Sequence, residues 1–116
     1  MMTIDEKVKQ FETEQQGKVT CIYGESGSGK STLAKQLKGE HTVVLDGDGV
    51  RHYINSDLGY SDDDRRENNR RIAAIALYLS KQGFDVIIAT VRADIAYELL
   101  KDQVKSIELI KAQHHG

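Results

Sequence analysis

The sequence of 116 residues contains no proline and no tryptophan, and it has a single cysteine, Cys21. One cysteine excludes an intramolecular disulfide and is typical of a reducing compartment, so we expect a cytoplasmic protein in which Cys21 is a small core residue. The longest apolar run, residues 86–91, is far shorter than the roughly 20 residues that cross a bilayer. No basic-then-apolar signal pattern opens the chain. These absences argue against a membrane or secreted protein.

An excess of charge of one sign is also missing. The 16 basic and 18 acidic residues nearly balance, with a formal net charge of −2. A surface that binds nucleic acid or membranes broadly needs a basic excess, so we expect neither kind of partner. The length fits one domain, with an N-terminal helix within residues 1–16 and a nucleotide-binding core over 17–116. Residues 114–116 receive no role.

A phosphate-binding loop is the most informative feature that is present. Residues 24–32 read GESGSGKST, which fits the pattern G-x-x-x-x-G-K-[ST] in full. Glycines let successive backbone N–H groups point at one phosphate, Lys30 can reach the β- and γ-phosphates, and the Ser31 hydroxyl can bind Mg²⁺. ATP and Mg²⁺ are therefore the predicted cofactors. The predicted cofactor-binding residues are Gly24, Ser26, Gly27, Ser28, Gly29, Lys30, Ser31 and Thr32.

The surroundings of this loop favour a nucleotide-binding fold over the alternative, a flexible Gly/Ser linker. An apolar run predicts a strand before the loop, and a helical pattern follows it. Strands are predicted at 18–23, 42–46, 84–91 and 106–110, and helices at 4–15, 30–38, 50–56, 61–82 and 94–105. This alternation predicts a three-layer α/β fold of the P-loop NTPase type, with a mostly parallel sheet of about four strands flanked by helices.

Two acids lie where the second predicted strand ends, at the edge of the sheet where α/β proteins bind ligands. Asp46 is the last residue of that strand, and Asp48 lies in a predicted turn over 47–49. Asp48 is the predicted general base for an attacking hydroxyl. Asp46 is predicted to lie in the outer coordination shell of Mg²⁺. The alternative is that both are turn-forming residues, because Asp and Gly are favoured in turns. The neighbouring phosphate loop favours the functional interpretation.

The longest predicted helix carries polar residues on its inward side. Ser61 is its predicted N-cap, with Asp64 as the acid of a capping box. Its core-facing stripe comprises Ile72, Ala76 and Leu79. Extended backwards at helical spacing, this stripe reaches Asn68 and Arg65. Polar groups on an inward face need partners, and a cleft that holds an anionic substrate would supply them.

Other residues near this helix have more ordinary interpretations. Arg66, Arg70 and Arg71 fall on other faces and fit a solvated helix surface, on which Glu67 pairs with Arg71. Tyr60 precedes the helix, where its ring could stack on a base or could act as a hydrophobic staple. The residues alone do not decide between these two roles of Tyr60.

Three segments together resemble the adenylylsulfate kinase family, whose members phosphorylate adenosine 5′-phosphosulfate. They are residues 24–34, residues 44–52 with the sequence VLDGDGVRH, and residues 57–73 with the sequence DLGYSDDDRRENNRRIA. The third segment is the most specific, since its Gly-aromatic-Ser element precedes a long Asp-Arg-x-Glu-Asn-x-Arg-Arg run. The similarity extends through the third predicted strand.

The resemblance implies a reaction and a set of roles. The γ-phosphoryl group of ATP would move to the 3′-hydroxyl of adenosine 5′-phosphosulfate, giving PAPS for sulfate assimilation, with Lys30 and Asp48 as catalytic residues. Tyr60 matches a phenylalanine that stacks on the adenine of the acceptor. The residues implied in acceptor binding are Asp46, Asp48, Arg51, Tyr60, Arg65 and Asn68, and those implied at the metal are Ser31 and Asp46.

The sequence departs from the family pattern in particular places. Arg92 stands where the family has the Ser of a Ser-Pro pair, and Glu25 where it often has an apolar residue. Family members continue into a basic lid and a last strand, which we expect this sequence to lack. The alternative functions are therefore an ATP-binding module with little or no turnover, and a kinase for another small hydroxylated acceptor. An open sheet edge would invite a second copy, so a homodimer is also considered.

Overall fold

The fold follows the alternation of strands and helices along the chain. A computed structural model describes residues 1–113, and residues 114–116, to which no role was given, lie outside the described part. The elements are α1 (Ile4–Lys9), β1 (Val19–Tyr23), α2 (Lys30–Leu37), β2 (Thr42–Asp46), α3 (Gly47–Tyr53), α4 (Asp62–Lys81), β3 (Asp85–Ala89), α5 (Ala93–Leu100) and β4 (Ile107–Lys111). Within residues 1–113, no helix is long and apolar enough to span a bilayer.

The four strands form one parallel sheet in the order β2-β3-β1-β4. Cys21 of β1 lies opposite Ile88 of β3 and Leu109 of β4, so β1 is paired along both of its edges. Parallel neighbours need helical crossovers, which α2, α4 and α5 provide. The predicted α/β fold with a parallel sheet of four strands flanked by helices is confirmed.

Helices cover both faces of the sheet, which explains why its central strands read as continuous apolar runs. Side chains alternate along β1, so Val19 and Cys21 pack with α4 and α5 while Ile22 packs with α2. Cys21 is fully buried, as predicted for a core residue. Burial raises the pKa of the Cys21 thiol to about 12, so this thiol remains neutral.

The N-terminal end of α4 is fixed by the predicted cap and by one bond that the sequence did not predict. The Ser61 hydroxyl accepts a hydrogen bond from the backbone N–H of Asp64 at 3.2 Å, which confirms the cap. The second half of the predicted capping box is wrong. The Asp64 carboxylate instead accepts from the backbone N–H of Gly59 at 2.8 Å, because the tight loop brings that group above the first turn of the helix. This bond ties the loop before α4 to the helix.

Several predicted element boundaries also need correction. The predicted turn at 47–49 is the first turn of α3, because Asp46 caps the helix by accepting from the Gly49 N–H at 2.9 Å. Helix α1 ends at Lys9, well before residue 15. The chain after it runs past the end of α4, where the backbone N–H of Thr13 donates to the Lys81 carbonyl at 2.9 Å. Helix α5 likewise ends at Leu100, five residues before the predicted end.

Gly17 joins the start of β1 to the end of α4. Its backbone N–H donates to the Ser80 carbonyl at 2.9 Å, and its carbonyl accepts from the buried Ser80 hydroxyl at 2.6 Å. The two chains approach so closely that a Cβ atom added at Gly17 would lie 1.7 Å from the carbonyl oxygen of Phe84. Only glycine fits at this junction without movement of the backbone.

We therefore predict that Gly17→Ala lowers the free energy of unfolding by about 1–3 kcal/mol or more, since overpacking forces backbone shifts. Urea denaturation followed by circular dichroism measures the change. Gly39→Ala is the matched control, because the nearest atom to its added Cβ is the Thr42 hydroxyl at 3.5 Å. Equal unfolding midpoints for the two variants would contradict the close approach at Gly17.

Candidate functional site

The loop between β1 and α2 has a backbone that glycine makes possible. Gly24, Gly27 and Gly29 have φ angles of 153°, 81° and 94°, in a region that other residues rarely adopt. Gly24 also lacks room for a side chain, since a Cβ there would lie 2.6 Å from the Ser28 hydroxyl oxygen. Gly29 immediately precedes α2 and offers no side chain to cap it. The N–H groups at the start of α2 are thus available to an anion.

Lys30 folds back across this loop. Its ammonium donates to the carbonyl oxygens of Gly24 at 2.7 Å and Glu25 at 2.8 Å. Burial lowers the pKa of the Lys30 ammonium, while the charges of Asp46 and Asp48 act in the opposite direction. The charge of Lys30 therefore interacts with the acid that ends β2 and with the acid in the first turn of α3.

Those two acids have different environments. Asp46 is partly buried, and its Oδ2 atom is engaged as the cap of α3. Asp48 lies in the first turn of α3 with a side chain that is 77% exposed. Its Oδ1 atom accepts from the Tyr60 hydroxyl at 3.1 Å and from Nη1 of Arg51 at 3.5 Å. Asp46 thus combines a structural role with its place in the site, whereas the carboxylate of Asp48 is free of any backbone cap.

Tyr60 lies among cations. The guanidinium carbon of Arg51 is 4.4 Å from the centre of the Tyr60 ring, and that of Arg65 is 5.9 Å from it. Nε of Arg65 also donates to the Tyr60 carbonyl at 3.0 Å. Arg65 occupies the helix position that an apolar residue would take in a hydrophobic staple, so the contact is a cation–π contact.

These residues surround one cleft of about 590 Å³ at the carboxyl ends of β1, β2 and β3. This is the edge of the sheet where the sequence predicted a ligand site. The cleft brings together seven of the predicted site residues: Ser26, Lys30, Asp46, Asp48, Arg51, Tyr60 and Arg65. Its remaining lining residues are Glu25, Gly47, Ala89, Thr90 and Val91.

The other predicted residues lie outside the lining of this cleft. Ser28, Gly29 and Thr32 line a separate groove of about 500 Å³ beside the end of β4. Gly24 is buried beneath the loop, Gly27 is exposed on it, and Ser31 is exposed in the first turn of α2. Asn68 is fully buried in α4. The phosphate loop therefore has residues on two neighbouring cavities.

Buried amides lie behind the cleft. Asn68 accepts through Oδ1 from Nδ2 of Asn55 at 2.9 Å, while its own Nδ2 is buried with no acceptor within residues 1–113. Asn69 accepts from the hydroxyl of Thr90 at 2.8 Å and donates to the Arg65 carbonyl at 2.9 Å. Thr90 lines the cleft, so Asn69 links the cleft wall to the backbone of Arg65.

The sequence analysis missed Asn55, Asn69 and Thr90. A signal for Asn69 exists, because the buried face of α4 is wider than the predicted stripe. Ala73 and Ser80 are also buried, and their spacing extends back to Asn69. Asn55 and Thr90 lie in connections after α3 and β3, where helix periodicity says nothing about side-chain direction.

Arg71 fixes the loop that leads to Tyr60. It forms the predicted pair with Glu67 at 2.7 Å, and also binds both carboxylate oxygens of Asp57 at 2.8 and 3.0 Å. Hydrogen bonds from Arg70 and Arg71 lower the pKa of Glu67 to about 2. The interpretation of this helix face as merely solvated is therefore incomplete for Arg71, which connects α4 to the segment after α3.

Of the two positions that depart from the family pattern, Glu25 lines the cleft and Arg92 is absent from its lining. Arg92 precedes α5 and binds both carboxylate oxygens of Asp94, at 3.0 and 2.9 Å. Glu25 lines the cleft, and its carbonyl oxygen holds Lys30.

Sequence comparisons relate this chain to known proteins. The family model described as adenylylsulphate kinase matches residues 16–111. The chain is 38% identical over 111 residues to the adenylyl-sulfate kinase of Bacillus velezensis, covering 90% of this chain and 55% of that protein. It is 39% identical over 118 residues to the enzyme of Pseudomonas aeruginosa, covering 58% of that protein.

A solved structure gives the same result. The chain superimposes with a TM-score of 0.73 and 33% identity on the adenylylsulfate kinase of Mycobacterium tuberculosis, a protein determined with AMPPNP and APS. The match covers 84% of this chain and 63% of that one. The chain thus spans little more than half the length of these curated relatives. With the family model covering most of the described residues, we conclude that this chain belongs to the adenylylsulphate kinase family.

Proposed function

We propose that this chain carries the phosphoryl-transfer site of an adenylylsulfate kinase, which moves the γ-phosphoryl group of ATP to the 3′-hydroxyl of adenosine 5′-phosphosulfate. The observation that carries the proposal is the arrangement of one cleft. It has the loop lysine, Lys30, in its wall together with an exposed carboxylate, Asp48, and the two arginines Arg51 and Arg65. The cations of this cleft can bind both the phosphates of a donor and an anionic acceptor.

The phosphate loop is proposed to bind ATP. The ammonium of Lys30 is held by two neutral carbonyl oxygens, and charged phosphate oxygens are stronger acceptors. Binding of the β- and γ-phosphates would therefore replace weaker hydrogen bonds with stronger ones. The uncapped N-terminus of α2 adds backbone N–H donors and a partial positive charge.

Mg²⁺ fits the donors that the site offers. Ser31 places an exposed hydroxyl in the first turn of α2, and the Oδ1 atom of Asp46 takes no part in the cap of α3. No cluster of three His, Cys, Asp or Glu residues that could hold a metal occurs in the described ranges. In nucleotide sites Mg²⁺ commonly has one or two protein ligands and is otherwise held by phosphate oxygens and water. Held by Ser31 and Asp46, Mg²⁺ would supply positive charge that neutralises the negative charge developing during phosphoryl transfer.

The acceptor is proposed to occupy the other side of the cleft. Arg51 and Arg65 present planar guanidinium groups, which suit sulfate and phosphate oxygens. The ring of Tyr60 offers an adenine a stacking surface, and Asn68 supports this region from behind. Asp48 is proposed to accept the proton of the 3′-hydroxyl as that oxygen attacks the γ-phosphorus, while the bond from the γ-phosphorus to the β,γ-bridging oxygen breaks and ADP leaves.

The proposed contributions are unequal in size. Positioning of two bound substrates can lower a barrier by about 7–11 kcal/mol. Each key donor to developing charge contributes roughly 3–4 kcal/mol, whereas a general base typically accelerates a reaction about 10²–10⁴-fold. Because Lys30 would contribute both to positioning of the phosphates and to charge stabilisation, its loss should be at least as harmful as loss of the base.

We predict that Lys30→Ala lowers kcat/KM at least as much as Asp48→Asn, for which we expect a loss of about 10²–10⁴-fold. Formation of PAPS from ATP and adenosine 5′-phosphosulfate, followed chromatographically, measures both. Lys35→Ala is the control, because Lys35 is exposed on the same helix. Turnover of Lys30→Ala equal to that of the unaltered protein would refute the kinase proposal. ATP binding without acceptor-dependent turnover would favour the nucleotide-binding module.

We further predict that Arg65→Ala raises the KM for the sulfated nucleotide by about 10-fold or more, since hydrogen bonds to charged groups contribute roughly 1.5–3 kcal/mol. The KM for ATP should change by less than about twofold, because Arg65 lies on the acceptor side. Arg66→Ala is a matched control, since Arg66 is the adjacent residue and is exposed. Equal effects of the two substitutions on the acceptor KM would place the acceptor elsewhere.

A further inference from the structure

We propose that Tyr60 is a positioning residue, whose hydroxyl fixes the direction of the Asp48 carboxylate for proton removal from the acceptor. This inference rests on the proposed function. It gives the hydroxyl of Tyr60 a role in addition to the stacking role proposed for the ring. Its basis is the hydrogen bond from the Tyr60 hydroxyl to Oδ1 of Asp48 at 3.1 Å. It extends the site by a chemical group, the phenol hydroxyl.

Asp48 needs such a partner because little else orients it. Its side chain is 77% exposed and lies in the first turn of a short helix. Within residues 1–113 its carboxylate has one other side-chain donor, Nη1 of Arg51, at 3.5 Å. That distance lies about 0.3 Å beyond the usual range of N–H···O hydrogen bonds, whereas the 3.1 Å contact from the Tyr60 hydroxyl lies about 0.1 Å beyond the usual range of O–H···O bonds. The hydroxyl of Tyr60 is therefore the shorter of the two contacts that set the carboxylate's rotamer.

Tyr60 is itself held firmly, which a positioning group requires. Nε of Arg65 donates to its carbonyl at 3.0 Å, from α4. The preceding residue, Gly59, is fixed from two helices. Its carbonyl accepts from Nε of Arg51 at 3.1 Å, and its N–H donates to the Asp64 carboxylate at 2.8 Å.

The ring also has a fixed neighbour. The guanidinium of Arg51 lies 4.4 Å from the centre of the ring, and Arg51 side-chain exposure is only 12%. The phenol therefore bridges the start of α4 and the start of α3, with its ring on Arg51 and its hydroxyl on Asp48. A phenylalanine at this position would keep the ring contact and lose the bond to the carboxylate.

This difference makes Tyr60→Phe a selective test. The variant should lower kcat for PAPS formation about 10-fold, the effect expected of one hydrogen bond to a charged group at a partly exposed site. The KM for the acceptor should stay within about twofold, because the ring remains. Tyr78→Phe is the matched control, since Tyr78 lies near the far end of α4 and borders a different groove.

A double-mutant cycle separates positioning from a structural role. If Tyr60 acts through Asp48, Tyr60→Phe should have no further effect on kcat in the Asp48→Ala background. An undiminished loss in that background would overturn the inference, and so would an unchanged kcat for Tyr60→Phe in the otherwise unaltered chain. Urea midpoints and Mg·ADP affinities equal to those of the parent would confirm that the fold and donor site are intact. No acceptor-dependent turnover by the parent would instead refute the proposed function, and the positioning role with it.

Discussion

The position of every group in the cleft depends on the parallel pairing of β3 with β1 on one side and β2 on the other. Parallel strands in register end at one edge of the sheet, so the segments that follow them meet in space. The phosphate loop follows β1, Asp46 closes β2, and Thr90 follows β3. The buried apolar strands thus determine where the polar groups lie, although they take no part in the chemistry themselves.

The polar end of α4 shows how the same core extends into the site. Ile72 and Ala76 pack against the sheet. The helix face that they define continues into Asn68 and Asn69, which are both buried. Buried amides are costly unless they are hydrogen-bonded, so these residues constrain their neighbours. Asn69 ties the Arg65 backbone to Thr90, and the side chain of Arg65 in turn holds Tyr60. The packing of α4 thereby stabilises one conformation of the loop that contains Tyr60.

Much of this architecture could be predicted from the sequence, because its strongest signals are local. Apolar runs, glycine spacing and the Ser61 cap indicate the sheet, the phosphate loop and the start of α4 without any long-range information. The partner of the Asp64 carboxylate could not be predicted in the same way, because Gly59 reaches it through the shape of the loop. Asp46 was ambiguous for another reason. Its carboxylate both caps α3 and lines the cleft. The Asp and Gly residues at 46–49 fit a turn in either case, so the sequence pattern does not distinguish these two roles.

The charged side chains that line the cleft are equal in number for the two signs. Its lining includes three cations, Lys30, Arg51 and Arg65, together with three carboxylates. Each cation donates to at least one backbone carbonyl: Lys30 to the phosphate loop, Arg51 to Gly59 and Arg65 to Tyr60. A neutral carbonyl orients a cation without neutralising it, so the positive charge remains available to an anion. Direct ion pairing of all three cations would have left weaker attraction for phosphate. Preorganisation by carbonyl oxygens thus keeps three cations available in a protein of nearly balanced charge, as the proposed binding of two anionic nucleotides requires.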